Sequence, residues 1–247
     1  MIAPNGARRG KVDHPAIPIT IPETVTAAHD CFHAGADGLH LHVRSTEGTH
    51  SLDAGLYREA LSELKIAVPD MMVQITTEAV GIYSPPQQQQ VVRDVKPNAV
   101  SISVAEMLAG DDLPATIDFY NWCNECNIAV QHILYTPQDG IELQKLLHAL
   151  TPTPYPVQLL FVLGRYTKDQ QSTEADLLPF TNWLATIDLK ADWAICAFGK
   201  AETRCLKAAH DASGKIRIGF ENSFWNNDGT LAKNNTERIM DLKKALR

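Results

Sequence analysis

Strand-like and helix-like segments alternate strictly along this chain, and this alternation restricts its fold more than any other feature. Eight apolar, β-branched runs each precede an amphipathic helical pattern. Repeated strand–helix units build a parallel sheet covered by helices, and eight units make a (β/α)8 TIM barrel. The predicted strands are Met1–Pro4, Gly38–Val43, Met71–Ile75, Ala99–Val104, Ile128–Leu134, Val157–Leu163, Trp193–Phe198 and Ile216–Phe220. The predicted helices are Pro22–Ala34, Ala54–Ala67, Pro85–Val95, Leu113–Cys126, Asp139–Leu150, Ser172–Thr186, Ala201–Asp211 and Asn235–Leu246.

The length of the chain agrees with a single α/β barrel domain over residues 1–247. Barrels of this type run to about 250 residues, and the chain has 247. No linker divides it into two smaller domains. A doubly wound open sheet is the competing architecture, but it carries a Gly-x-Gly-x-x-Gly turn after its first strand. Residues 5–10, which follow the first predicted strand, read NGARRG and lack that spacing.

Charge and composition exclude several classes of protein. The chain carries 29 acidic and 22 basic residues, a net charge of −7, whereas a nucleic-acid-binding protein needs a basic face. No run approaches the roughly 18 apolar residues of a membrane span, and the N-terminal residues contain no apolar signal segment. Five cysteines without an export signal predict reduced thiols and a cytoplasmic location.

Two histidines on one strand give the clearest chemical signal. Side chains alternate along a strand, so His40, His42 and Arg44 share one face and the intervening apolar residues share the other. In a barrel the polar face points inward, where bulky polar groups need partners. Two neighbouring imidazoles can bind one metal ion. A pair of hydrogen-bonded histidines at a strand end is the alternative.

A carboxylate near the other end of the chain completes a candidate metal site. By the same alternation Arg217 and Glu221 share a face, and Glu221 follows the last predicted strand at the catalytic rim of a barrel. Barrel closure brings this rim next to His40 and His42. Two histidines and a carboxylate are typical of a catalytic Zn²⁺ site or of another divalent metal. An ion pair between Glu221 and Arg217 or Arg44 is the alternative.

The segments that carry these residues resemble a known family. Residues 35–44, GADGLHLHVR, and residues 217–222, RIGFEN, are similar to two metal-ligand segments of the β-keto acid cleavage enzymes (BKACE), and weaker similarities extend over almost the whole chain. The resemblance implies a homo-oligomeric (β/α)8 barrel in which His40, His42 and Glu221 hold Zn²⁺. It also implies that a β-keto acid reacts with acetyl-CoA, giving acetoacetate and a new acyl-CoA.

The resemblance also suggests roles for residues around the metal. Arg217 would orient the substrate carboxylate, with Thr76 and Ser103 as hydrogen-bond donors. Asn222 is predicted as a further catalytic residue, because it stands where the family usually has a catalytic Asp. Further substrate contacts are predicted for residues near strand ends, namely Arg8, Arg44, Glu106 and His132. Arg8 stands where the family carries a glutamate, which favours an anionic substrate.

The departures from the family leave other functions open. An amide such as that of Asn222 cannot act as a base, and Glu78 or Glu106 on predicted strand-end loops could replace it. One alternative is another metal-dependent barrel enzyme, such as an aldolase, isomerase or hydrolase of a small keto or sugar acid. Another is a catalytically silent metal-binding barrel.

Overall fold

Parallel strands form the centre of the computed structural model, which describes residues 1–110 and 112–247. Seven of them are hydrogen-bonded in the order β1-β4-β5-β6-β7-β8-β9. They are β1 (Gly38–Leu41), β4 (Met72–Thr76), β5 (Ala99–Ser103), β6 (Ala129–Leu134), β7 (Val157–Leu163), β8 (Ala191–Ala197) and β9 (Lys215–Ile216). A separate antiparallel hairpin joins β2 (Val43–Arg44) to β3 (His50–Ser51).

The N-terminal residues close this sheet into a ring. Ile2 donates to the Gly38 carbonyl over 2.7 Å and accepts from the His40 amide over 2.8 Å, which joins it to β1. On the other side, Ala3 donates to the Ile218 carbonyl over 2.8 Å, and Ile2 and Ile218 form a parallel bridge. Residues 1–3 therefore occupy the eighth strand position, and the predicted TIM-barrel fold is confirmed.

Helices surround the ring. They are α1 (Ile21–Ala34), α2 (Ala54–Ala67), α3 (Pro85–Val95), α4 (Val104–Met107), α5 (Leu113–Glu125), α6 (Pro137–Ala149), α7 (Leu178–Ala185), α8 (Glu202–Asp211) and α9 (Asn235–Ala245). In the described part of the chain, no helix has both the length and the apolar character required to cross a membrane.

The largest difference from the predicted elements lies before α7. A helix was predicted over Ser172–Thr186, but residues 174–177 form a 3₁₀ turn and the α-helix begins only at Leu178. The hydroxyl of buried Ser172 donates to the carbonyl of Phe198 over 2.6 Å. This bond ties the segment to the barrel rim and delays the helix.

Two apolar layers follow from the alternation of side chains along each strand. On β7, Leu159, Phe161 and Leu163 belong to the large core between strands and helices. Leu160 and Val162 belong to a smaller cluster with Cys196 and Phe198. This smaller cluster lies inside the barrel, against the inner faces of β6, β7 and β8. The polar groups lie on the opposite side of the barrel interior.

Candidate active site

Three potential metal ligands converge at the carboxyl ends of the strands. The Nε2 atoms of His40 and His42 lie 3.1 Å apart, and Glu221 Oε2 lies 3.6 Å from the first and 3.7 Å from the second. Tetrahedral coordination with bonds of 2.0–2.1 Å places its ligand atoms about 3.3 Å from one another. The two nitrogens and the oxygen therefore have the spacing of ligands that share one ion, and they form a group suited to a metal.

Hydrogen bonding and burial leave these atoms available to a cation. Gln74 Oε1 lies 3.0 Å from His40 Nδ1, while the amide of Gln74 donates to Gln131 Oε1 over 3.2 Å. This chain fixes Gln74 as the acceptor, so His40 carries its proton on Nδ1 and presents a free lone pair on Nε2. Burial, followed by the charge of Arg217, lowers the pKa of His40 to about 4. The imidazole is therefore neutral near pH 7, as a metal ligand must be.

The backbone holds Glu221 rigidly. Three successive backbone amides donate hydrogen bonds. The Gly219 N–H donates to the Glu202 carboxylate over 3.3 Å, and the Phe220 N–H donates to Asn235 Oδ1 over 2.9 Å. The Glu221 N–H donates to the Ala3 carbonyl over 3.1 Å. Gly219 has φ +144°, and a Cβ atom there would lie 2.2 Å from the Ala3 oxygen. Only glycine fits this close approach, which aims the following carboxylate at the histidines.

Arg217 pairs with the same carboxylate. Its Nη2 lies 2.9 Å from Glu221 Oε1 and also contacts Cys196 Sγ at 3.2 Å. Burial would raise the pKa of Glu221, but the charge of Arg217 holds it below its ordinary value. The buried Nε and Nη1 donors of Arg217 have no hydrogen-bond partner among the described residues. Unpaired cationic donors of this kind favour binding of a carboxylate or an enolate oxygen.

A cavity connects these groups with several predicted site residues. Its walls include His40, Arg217 and Glu221, together with Thr76, Ser103, Arg8 and Glu106. The Thr76 hydroxyl accepts from the Glu78 amide over 3.1 Å, and the Ser103 hydroxyl accepts from the Glu106 amide over 3.2 Å. Each hydroxyl therefore keeps its own proton for donation. The apolar wall consists of Ile133, Tyr135, Val162 and Phe198.

Two acidic side chains line the same cavity. Glu78 Oε1 lies 3.3 Å from Arg165 Nη2. Burial and the negative charge of Glu221 raise the pKa of Glu78 to about 7, against the opposing effect of Arg165. Glu106 accepts from the Ala79 amide and from the Gln88 amide group, and burial raises its pKa. The cavity thus contains a carboxyl group that titrates near neutral pH.

Comparison with known proteins assigns the chain to a family. The profile of the family described as "BKACE: beta-keto acid cleavage enzyme" matches residues 1–247. The chain belongs to the BKACE family. It is an enzyme of this family, and the resemblance noted in its histidine and glutamate segments is confirmed over its whole length.

Curated relatives of this BKACE chain are distant. A 3-keto-5-aminohexanoate cleavage enzyme of Fusobacterium nucleatum subsp. nucleatum is 26% identical, over 98% of this chain and 89% of that protein. A 3-oxoadipate:acetyl-CoA acetyltransferase of Cupriavidus necator is 23% identical, over 96% of this chain and 84% of that protein.

Among solved structures, ObcA in a ternary complex with a C4-CoA adduct and oxalate shares the fold. Its TM-score is 0.74 at 16% identity, and the match covers 94% of this chain. The BKACE chain spans only 64% of the length of that ObcA chain.

Two predicted site residues, Arg44 and His132, are not among the described residues that line the cavity. Arg44 donates to the carbonyls of Gly6 and Arg9 and so holds the loop that packs on Glu221. His132 stacks on Tyr120 of α5 with ring centroids 5.5 Å apart, on the helix side of β6. We therefore retain neither residue as a substrate contact.

The side chain of Asn222 is also placed away from the reacting groups. Asn222 is fully buried, and in the described ranges it is not among the residues that line the cavity. Its backbone carbonyl accepts from Arg9 and from the Gly199 amide. The position therefore braces the loop after Glu221, and the predicted catalytic role of its amide has no support from this geometry.

Several residues of the site were not predicted from the sequence. Arg165 follows the end of β7, a position that the strand-end rule marks as catalytic in barrels, so its signal was available. Gln74 lies on the inward face of β4, where alternation could have identified it. Buried His50 lies in the β2–β3 hairpin, with its ring centroid 5.4 Å from that of His42, and gave no sequence signal.

Proposed function

We propose that this enzyme uses Zn²⁺ to exchange the acyl group of a β-keto acid with acetyl-CoA. The reaction converts R–CO–CH₂–COO⁻ and acetyl-CoA into R–CO–S-CoA and acetoacetate. The observation that carries the proposal is the triangle of His40 Nε2, His42 Nε2 and Glu221 Oε2 beside the free donors of Arg217. The names of the curated relatives, which include an acetyl-CoA acetyltransferase, support the substrate pair.

The donor set favours zinc. Two imidazole nitrogens and one carboxylate oxygen form a common catalytic zinc set, and His40, His42 and Glu221 would hold the ion. When bound, Zn²⁺ supplies a Lewis acid that polarises a ketone and stabilises enolate charge.

The protein groups bind and orient the substrate. Arg217 offers a free guanidinium donor to the carboxylate of the keto acid, and the hydroxyls of Thr76 and Ser103 donate hydrogen bonds to its oxygens. The acyl substituent R lies along the apolar wall of Ile133, Val162 and Phe198. Arg8 at the same cavity favours a substrate that carries a further negative charge. The arrangement restricts water at the reacting carbon because Arg217 and the histidines are buried.

An isotope experiment tests the reaction. Zinc-loaded protein is incubated with a panel of β-keto acids and acetyl-CoA labelled with ¹³C at the thioester carbonyl. We expect equal amounts of acyl-CoA and acetoacetate, with the label at the ketone carbon of acetoacetate. Zinc-loaded protein that forms neither product with any member of the panel, which includes 3-oxoadipate, would contradict the proposal.

A second function is favoured by the asparagine at position 222. Because the Asn222 amide cannot remove a proton, the chain is also a candidate for metal-dependent chemistry that uses no CoA ester, such as aldol cleavage of a small keto acid. Consumption of a keto acid in the absence of acetyl-CoA distinguishes this function. Ligand-dependent thermal stabilisation without turnover would instead indicate a silent metal-binding barrel.

A further inference from the structure

His50 is a buried histidine that the proposed reaction does not use. It lies in β3, opposite Arg44 in the hairpin register, and its side chain packs between His42 and Tyr83, with ring centroids 5.4 Å and 6.0 Å away. A polar ring inside the protein needs partners for both nitrogens. Only one of the two nitrogens of His50 has a partner within residues 1–110 and 112–247, because Nδ1 is buried without one.

The existing bond of His50 fixes its tautomer. Nε2 lies 2.8 Å from the backbone carbonyl oxygen of Glu78. A carbonyl only accepts, so Nε2 carries the proton. The neutral form of the ring has one proton, which the carbonyl holds on Nε2. Its Nδ1 then carries a lone pair and is an acceptor that lacks a donor.

The neighbouring metal ligand has the complementary deficiency. His42 turns Nε2 toward His40 and Glu221, so the proton of its neutral ring lies on Nδ1. That Nδ1 is also buried and has no partner in the part of the chain that the structure describes. His40 differs, because its Nδ1 is bound by Gln74. The structure therefore contains one donor without an acceptor and one acceptor without a donor on adjacent rings.

We infer that His50 is a positioning residue for the metal centre, which accepts the Nδ1 proton of His42 through one bridging water molecule. A metal-bound histidine almost always donates its second nitrogen to such a partner, which fixes the ring and strengthens it as a ligand. The two Nδ1 atoms are not hydrogen-bonded to each other in the described residues, and ring centroids 5.4 Å apart keep them close enough for one water molecule to bridge. The inference rests on the proposed metal site.

Two substitutions separate this role from a structural one. In His50→Asn, the amide oxygen takes the place of Nδ1 and can accept from His42, but the bond to the Glu78 carbonyl is lost. In His50→Gln, the amide group takes the place of Nε2 and can donate to that carbonyl, but the acceptor for His42 is lost. Each variant therefore keeps one of the two hydrogen bonds of His50 and loses the other.

Metal affinity is the measurement. Zinc affinity is determined by competition with a chromophoric chelator, and the visible absorption of the Co²⁺-substituted protein reports on ligand geometry. Thermal unfolding of the metal-free variants controls for general damage. We expect His50→Gln to weaken zinc binding by 10- to 100-fold and to change the Co²⁺ spectrum. We expect the zinc affinity of His50→Asn to stay within about threefold of the wild-type affinity.

Every other outcome overturns a defined part of the argument. Equal affinities of the two variants, or weaker binding by His50→Asn, would overturn the role of His50 as the acceptor for His42. A wild-type protein that binds neither Zn²⁺ nor Co²⁺ would instead overturn the metal centre of the proposed function. A wild type that binds zinc but forms no acyl-CoA would contradict the reaction and leave the role of His50 intact.

Discussion

Arg217 and Glu221 form an ion pair of 2.9 Å that uses only one oxygen of the carboxylate. The other oxygen, Oε2, lies 3.6 Å from His40 Nε2 and has no hydrogen-bond partner in the described residues. One side chain thus links the cation that would hold the substrate to the ligands that would hold the metal. Changes at Glu221 and at Arg217 should therefore separate metal binding from substrate binding.

Glu221→Gln should remove the metal. The substitution preserves the shape of the side chain but replaces an anionic ligand by a neutral amide, so we expect zinc affinity to fall by at least about 100-fold, more than loss of an outer partner costs. Metal content after dialysis, measured by mass spectrometry, checks this. Glu125→Gln, at an exposed helix end, is the matched control and should keep the metal. Unchanged zinc content in Glu221→Gln would rule out Glu221 as a ligand.

Arg217→Lys should impair catalysis and spare the metal. Lysine keeps the positive charge but cannot serve Glu221 and the substrate with separate donors of one planar group, so we expect kcat/KM for the β-keto acid to fall about 100-fold. Arg93→Lys is the control, because Arg93 stacks on Trp122 at 4.6 Å, on the helix layer. A variant at position 217 with wild-type kcat/KM would show that the guanidinium does not bind the substrate.

Gly219→Ala should destabilise the barrel and displace Glu221. A Cβ atom would lie 2.2 Å from the Ala3 oxygen at a backbone φ of +144°, so strain and the clash together should cost about 3 kcal/mol or more. Urea unfolding measures the free energy, and chelator competition measures the accompanying loss of zinc affinity. Gly10→Ala meets no atom within 4 Å and should change stability by less than about 0.5 kcal/mol. Equal effects of both substitutions would contradict this account.

His132→Phe should make the protein less sensitive to acid. Burial lowers the pKa of His132 to about 4, whereas an unfolded histidine titrates near about 6.5. The unfolded chain therefore binds a proton that the folded chain does not. Protonation of His132 in the unfolded chain lowers the free energy of unfolding by about 1.4 kcal/mol per pH unit as pH falls from about 6.5 to 4. Phenylalanine keeps the stacking on Tyr120 and removes this contribution.

Urea unfolding of wild type and His132→Phe from pH 4.5 to 8 checks this expectation. The two curves of unfolding free energy should run parallel above pH 7 and diverge below about pH 6.5. Parallel curves over the whole range would show that His132 does not titrate with a lowered pKa.

The alternation of residues along the chain predicted much of the fold and part of the site. The period of two on the first histidine strand placed His40 and His42 together, and the eight-unit ring placed Glu221 beside them. The prediction of His132 as a substrate contact used only its place near a strand end, and a shift of one residue moves a side chain to the opposite face of a strand. On β6 the inward residues are Gln131, which contacts Gln74, and Ile133.

Contacts between distant segments account for what the sequence did not predict. The packing of His50 against His42 depends on a short hairpin whose position relative to the barrel has no local signal. The role of Gln74 depends on Gln131, from a strand two positions further round the ring. A single barrel domain, a homo-oligomeric state and a cytoplasmic location stay predictions.

The hydrogen bonds that Met1 and Ala3 form with Ile218 have a consequence for the order in which the protein folds. These contacts join the two ends of the chain, so the loop they close has nearly the highest entropic cost available to this polypeptide. His40 and Glu221 also lie far apart in the sequence, and they approach each other only when that loop closes. Ring closure and assembly of the metal ligands are therefore one event. A chain emerging from the ribosome holds no complete ligand set until residue 221 has been added.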